Sequence, residues 1–112
     1  MIDSLEPNHI FVFGSNLQGR HLGGAAKQAH EQFRAEWGIG AGLTGQCYAI
    51  PTMEGYDSMA LYIQQFLQIA SLLPQYTFLL TKVGCGIAGY DENDVKQLFK
   101  DAPSNVVKPE GW

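Results

Sequence analysis

Two glycine-rich segments hold most of the side chains in this sequence that could do chemistry. The first runs Gly14-Ser15-Asn16-Leu17-Gln18-Gly19-Arg20-His21-Leu22-Gly23-Gly24, and the second Gly84-Cys85-Gly86-Ile87-Ala88-Gly89-Tyr90. Arg20 is the residue type that grips phosphate oxygens with two parallel N–H groups. His21 is the type that moves protons near neutral pH. For both, a solvated loop pair is the bland alternative. Asn16 sits where a strand should turn, a place that Asn also occupies because it tolerates left-handed backbone. Cys85 could be a thiolate if a helix N-terminus lowered its pKa, but a catalytic thiol also needs a positioned base. A small side chain that fits a tight turn explains Cys85 with less.

The glycines themselves carry a second message. The chain has 13 of them among 112 residues, against an average of about 7%. A third group, Gly38, Gly40, Gly42 and Gly45, lies between the other two. Clustered glycine marks backbone that turns sharply or approaches something closely. Consecutive main-chain N–H groups in such loops can curl around an anion, and a helix N-terminus nearby favours phosphate. The alternative is that these glycines only make tight turns. The P-loop pattern is absent. Residues 84–89 formally fit Gly-x-Gly-x-x-Gly, but they follow the third strand, not the first, so they are not read as a dinucleotide fingerprint.

The elements that must position these loops can be read from apolar patterning. Ile10 to Phe13 is a short apolar run closed by Gly14 and predicts a strand buried on both faces. Residues 24–36 predict a helix, with Leu22, Ala26, Ala29, Phe33 and Trp37 on one stripe. His30 then falls on its polar side, and His9 precedes the first strand at the surface. Residues 38–45 predict a loop. Cys47 to Ile50 predicts a strand ended by Pro51. The next helix starts at an Asp57 or Ser58 cap and buries Met59, Ile63, Phe66, Leu67, Ala70 and Leu73 before Pro74. Tyr76 to Val83 is the strongest strand. A third helix over 91–101 carries Asp91, Glu92 and Asp94 in its first turn. Helix capping explains these carboxylates better than an acid–base or metal cluster. Its buried face is Val95, Leu98, Phe99 and Ala102. Asn105 to Val107 ends the pattern as a strand. This alternation predicts an α/β fold with a mostly parallel sheet and helices on both faces. Ligands in such sheets bind beyond the carboxyl ends of the strands, where both chemical loops should open together.

Composition excludes several classes. Hydrophobic residues make up 46% and charged residues 16%, with a net charge of −4. That excludes intrinsic disorder and a basic nucleic-acid footprint across the whole chain. No run reaches the roughly 18 apolar residues of a membrane span. Residues 1–8 are polar and acidic and do not open a signal peptide. Cys47 and Cys85 form no CxxC and no disulfide framework, which suits a reducing cytoplasm. His9, His21 and His30 are scattered, so neither a metal nor a cofactor is expected. A domain of this size folds alone, though forming a homo-oligomer would help it.

At this point the motifs carry a resemblance. Phe11 to Leu17 followed by Gly23-Gly24-Ala25-Ala26 resembles the macro domain's Asn-Ala-Ala-Asn segment and the Gly-Gly-Gly loop that leads into a helix. Gly40 to Pro51 resembles the glycine-containing turn before its Ile-His strand. Thr81 to Tyr90 resembles the strand and Ser-Thr-Gly-Ile-Tyr-Gly-Tyr loop that wraps the diphosphate. The three motifs in order span most of residues 9–108. More narrowly, the Phe13 to His21 opening resembles a compact macro-domain-like family of bacteria and phages. The resemblance implies one three-layer α/β/α domain over residues 1–112. It also implies a small-molecule partner, an ADP-ribose-like nucleotide or an NAD-derived one, linear or cyclic.

Residue by residue, the resemblance places Asn16 at the distal ribose, with Gly14 and Ser15 before it. Gly23 and Gly24 lie beside that ribose and the phosphates; Arg20 and His21 are ligand-binding candidates by their own chemistry and their place in the same loop. Gly84, Cys85, Gly86, Ile87, Ala88 and Gly89 cradle the diphosphate, and Tyr90 lies against a ribose. The stretch Met1 to Asn8 is too short for the family's first strand and for the Gly-Asp-Ile segment that contacts adenine; Asp3 lacks that context. Three functions follow as expectations. The first is a binding module that sequesters a nucleotide signal. The second is an ADP-ribosyl hydrolase with Asn16 orienting the ribose and His21 assisting. The third is a structural interaction domain.

Overall fold

A computed structural model describes residues 2–112. The chain forms β1 (His9–Ser15), α1 (Gly24–Gln32), β2 (Gly42–Thr44), β3 (Cys47–Pro51), α2 (Tyr56–Leu72), β4 (Thr77–Leu80), α3 (Glu92–Lys96) and β5 (Val106–Val107), with one 3-10 turn over Gln97–Phe99. The five strands make one sheet in the order β2-β3-β1-β4-β5. Strand β1 is central and runs parallel to β3 and β4, and β4 runs parallel to β5. Only β2 is antiparallel, against β3. The fold is α/β with a mostly parallel sheet, as the alternation predicts.

A central parallel strand is buried on both faces, and β1 divides its side chains accordingly. Phe11 and Phe13 point to one face, where they meet Ala29 and Phe33 of the α1 region, Ala35, Cys47 and Ala49. Ile10 and Val12 join the other face with Tyr48, Ile50, Phe78 and Leu80. There Met59, Ile63, Phe66 and Ala70 of α2, with Val95 and Phe99, close the larger core. Fully burying one such side chain contributes about 1.5–3 kcal/mol, which is why one short strand can anchor both layers of packing. The carbonyls left over at the C-terminal end of α2 are satisfied from a distance. Asn105 Nδ2 lies 2.9 Å from the Ala70 oxygen, 3.1 Å from Leu73 and 3.0 Å from Tyr76.

Several boundaries differ from the sequence reading. Strand β1 continues through Gly14 and Ser15, which pair with Ile50 and Pro51. Helix α1 stops at Gln32 rather than at 36, because Arg34 turns into the left-handed region at φ 67°. Its stripe shrinks with it: Leu22 is 74% exposed and Trp37 52% exposed. The 38–45 loop contains β2, a three-residue edge strand held by β3. Helix α2 starts at Tyr56 after Gly55, one to two residues before the expected caps, and no side chain caps it. Strand β4 is confined to Thr77–Leu80. The 91–101 helix is one short α turn continued as a 3-10 turn; Asp91 Oδ1 accepts the Asn93 N–H at 2.8 Å, as a capping residue does. His9 is the first residue of β1, and its Nδ1 accepts the Glu6 N–H at 3.2 Å. Among the described residues no helix is long and apolar enough to cross a membrane.

Candidate functional site

Strands β3, β1 and β4 end side by side, and a cleft of about 440 Å³ opens beyond their carboxyl ends. Gly14, Ser15, Asn16, Arg20 and Leu22 line it from the β1 side, and Gly23 to Ala26 continue that wall into the start of α1. Thr52 and Met53 come from the end of β3. Thr81, Lys82, Val83, Gly84, Gly86, Ile87 and Ala88 come from the segment after β4. The two glycine loops therefore do meet on one edge of the sheet, as the topology demands. A second hollow of about 480 Å³ lies at the opposite end of the sheet. Its one charged side chain, Arg34, already reaches Gln46 Oε1 at 3.3 Å.

The first loop is shaped by Asn16. Its Oδ1 accepts the Arg20 N–H at 3.0 Å, and its Nδ2 donates to the Arg20 carbonyl at 3.2 Å. The Gly19 N–H bonds the Asn16 carbonyl at 2.9 Å, and the Gly38 N–H bonds the Gly19 carbonyl at 2.9 Å. A Cβ at Gly40 would run into the Asn16 carbonyl oxygen, so glycine there lets the two loops touch. Asn16 thus works first as a brace that presents Arg20 and the glycines behind it.

The second loop closes on itself. The Gly89 N–H bonds the Gly86 carbonyl at 3.0 Å, and the Tyr90 N–H bonds the Gly84 carbonyl at 2.9 Å. Those bonds leave the N–H groups of Gly84, Gly86, Ile87 and Ala88 with no carbonyl partner among the described residues. The same holds for Gly23, Gly24, Ala25 and Ala26 at the start of α1, where unpaired N–H groups and the positive end of the helix dipole coincide. All eight of these residues line the cleft. Its charged side chains are Arg20 and Lys82, and no Asp or Glu lines it, although the chain carries a net charge of −4. This arrangement favours an anion.

Lys82 is held at the rim. Its Nζ lies 3.1 Å from Glu92 Oε1, which also accepts the Trp112 indole N–H at 3.2 Å. The Trp112 and Lys82 hydrogen bonds hold the Glu92 carboxyl below its ordinary pKa. The Trp112 ring in turn packs on Phe99, 5.7 Å between centroids.

Four of the residues named from sequence do not reach the cleft wall. His21 is corrected most. It is 2% exposed, and its Nε2–H donates to the Glu36 carbonyl at 2.9 Å. Its ring packs edge-on to Phe13 at 5.4 Å and to Trp37 at 6.0 Å, beside His30 at 5.9 Å. It is buried beneath the loop and does not line the cleft, and its Nδ1 has no hydrogen-bond partner among the described residues. His30 continues the cluster, with Nδ1 2.7 Å from the Ala35 carbonyl. Cys85 is half-buried and donates to the Val83 carbonyl at 3.6 Å. Burial, aided by the Glu92 charge, pushes its thiol up, the opposite of an activated nucleophile. Gly89 and Tyr90 shape the loop from behind, where Tyr90 meets Tyr56 at 5.6 Å between ring centroids.

The sequence reading missed Leu22, Ala25, Ala26, Thr52, Met53, Thr81, Lys82 and Val83 as wall residues. Five of these follow a strand directly, so the rule that parallel sheets bind ligands at their carboxyl ends could have found them. Among the described residues no group of three or more His, Cys, Asp or Glu side chains is placed to hold a metal ion. Comparisons of the chain with protein-family models, curated proteins and solved structures gave no match.

Proposed function

We propose that the cleft binds an ADP-ribose-like or NAD-derived nucleotide. The diphosphate lies against the free N–H groups of the two glycine loops, with Arg20 and Lys82 beside it. One observation carries this reading: residues 23–26, with Gly84, Gly86, Ile87 and Ala88, present main-chain donors unpaired among the described residues around one cleft lined by no Asp or Glu at a helix N-terminus. The motif order that resembles a three-layer macro domain points to the same ligand class. The two free thiols, Cys47 and Cys85, suit a protein working in a reducing compartment.

Binding without turnover is the better-supported form of this function. The imidazole offered by the sequence as an acid or base is bonded to the Glu36 carbonyl beneath the loop. General acid–base work needs a titrating group within reach of the reacting atoms. Such a binder would sequester a nucleotide signal, a role that fits a bacterial or phage protein.

A thermal-shift screen with ADP-ribose, AMP, NAD and cyclic ADP-ribose isomers tests this directly, with each mixture analysed by mass spectrometry afterwards. A true ligand at 100 times its Kd stabilises the fold by about 2.7 kcal/mol and is recovered intact. A ligand recovered cleaved makes the protein a hydrolase. No shift with any of the nucleotides refutes the nucleotide reading and leaves an interaction domain.

A further inference from the structure

Lys82 is one of the two charged side chains that line the cleft, yet its ammonium is already engaged outside it. Its main chain is fixed by the turn after β4, where its carbonyl accepts the Cys85 N–H at 3.3 Å. Its stem can swing, because a lysine carries a point charge on a flexible four-carbon chain. Nζ lies 3.1 Å from Oε1 of Glu92, the first residue of α3. Neither Glu92 nor Trp112 lines the cleft. Trp112 nonetheless donates its indole N–H to that same Glu92 oxygen at 3.2 Å. The indole is held in turn, with its ring 5.7 Å from the ring of the buried Phe99. A line of contacts therefore runs from the core through Trp112 and Glu92 to a cation of the cleft.

The strength of the ion pair decides what this line can do. The Lys82 and Glu92 side chains are 43% and 51% exposed, so solvent screens their attraction. A pair of this kind shifts an equilibrium by no more than about fivefold. An anion already held by the loop N–H groups meets Lys82 as an intramolecular partner, and a diphosphate brings more negative charge than one carboxylate. Losing Lys82 does not strand Glu92. Its oxygen keeps the Trp112 N–H, and Lys96, one turn further along α3, still favours its charge. The pair is thus strong enough to hold Lys82 back in the free protein and weak enough to yield to a bound anion.

We infer that Glu92 and Trp112 form a latch on the cleft: Glu92 competes with the ligand's phosphates for Lys82, and Trp112 is the positioning residue that keeps Glu92 in place to compete. This rests on the nucleotide reading above. It makes two residues outside the cleft determinants of the affinity within it.

Calorimetric titration of the full chain with ADP-ribose and with inorganic pyrophosphate tests it in wild type, E92Q, W112F, K82M and the double variants. Glutamine keeps an oxygen for the indole N–H and removes the charge that holds Lys82. We expect E92Q to bind both probes about three- to fivefold tighter than wild type, and K82M to bind both more weakly. W112F keeps a ring on Phe99 without the N–H. It should bind about twofold tighter than wild type and add nothing in E92Q. In K82M, the E92Q change should have no effect. Unchanged affinity in E92Q overturns the latch and keeps the nucleotide reading. An equal gain from E92Q with and without Lys82 overturns it as well, by making Glu92 a general repulsion. A W112F gain that persists in E92Q removes Trp112 from the latch. Binding of neither probe by wild type or E92Q overturns both the latch and the nucleotide reading.

Discussion

The Asn16 side chain and the Arg20 main chain hold each other twice, N–H to Oδ1 at 3.0 Å and Nδ2 to carbonyl at 3.2 Å. The pair closes a four-residue span and sets where the Arg20 guanidinium begins. We expect N16A to cost about 1 kcal/mol of stability in urea titrations and to weaken nucleotide binding as the loop loosens. N16D keeps the oxygen acceptor and should recover part of the stability, but its charge lines the anion cleft and should not recover binding. An Asn16→Ala protein that binds as tightly as wild type would remove the brace from the account.

Gly14 and Gly40 separate function from folding. A Cβ at Gly14, which lines the cleft, meets Thr52 at 3.3 Å and the Gly84 nitrogen at 3.5 Å, whereas one at Gly40 collides with the Asn16 and Leu17 main chain. G14A should fold within about 1 kcal/mol of wild type and lose ligand; G40A should lose about 2–4 kcal/mol or fail to fold. Thermal melts with and without ADP-ribose distinguish the two.

Arg34 is the one non-glycine residue with positive φ among the described residues, at 67°. It ends α1 in a conformation that costs an L side chain about 1–2 kcal/mol and glycine nothing. Its guanidinium contact to Gln46 is exposed and long at 3.3 Å. R34G should therefore raise stability by about 0.5–1 kcal/mol, read as a higher denaturation midpoint at constant slope.

Cys47 lies fully buried in the smaller core, and burial pushes its thiol from 9.0 up to about 12. The folded state thus holds this proton after the unfolded state has released it. Stability should fall as pH rises from about 9 towards about 12, and C47A should flatten that slope. A disulfide reagent at pH 8 should label Cys85 slowly and Cys47 only after unfolding.

Glu92 titrates in the other direction. Its carboxyl is held below the ordinary 4.5 by Trp112 and Lys82, so its contacts persist above pH 4.5 and are lost as pH falls through the lower folded value. In a W37F background, Trp112 emission should change only below pH 4.5. E92Q at neutral pH should already show the acid spectrum.

The sheet was legible because β1, β3 and β4 carry short apolar runs rich in aromatic or β-branched residues that alternate with helix-period segments. Strand β2 was not, since Gly42-Leu43-Thr44 becomes a strand only by pairing with β3. The true end of α1 was hidden for a similar reason. Nothing local marks Arg34 for left-handed backbone; the close packing of its main chain on Gly45 belongs to the tertiary fold. At the site, the glycine loops were visible as composition. The burial of His21 was not, because an imidazole in a glycine loop has no signature that separates a support from a catalyst. Thr52 was invisible as a wall residue because it joins Ser15 and Thr81 only through strand order.

The lock between the first loop and the turn before β2 also has a consequence for folding order. The Gly38 N–H holds Gly19, and Gly40 lies against Asn16, so the loop cannot settle before that turn docks. The opposite wall needs β4 in place beside β1. Every wall therefore waits on contacts between segments distant in the chain, the slowest kind to form. In a refolding experiment, nucleotide binding should return with the last global phase, and no earlier intermediate should compete for the ligand.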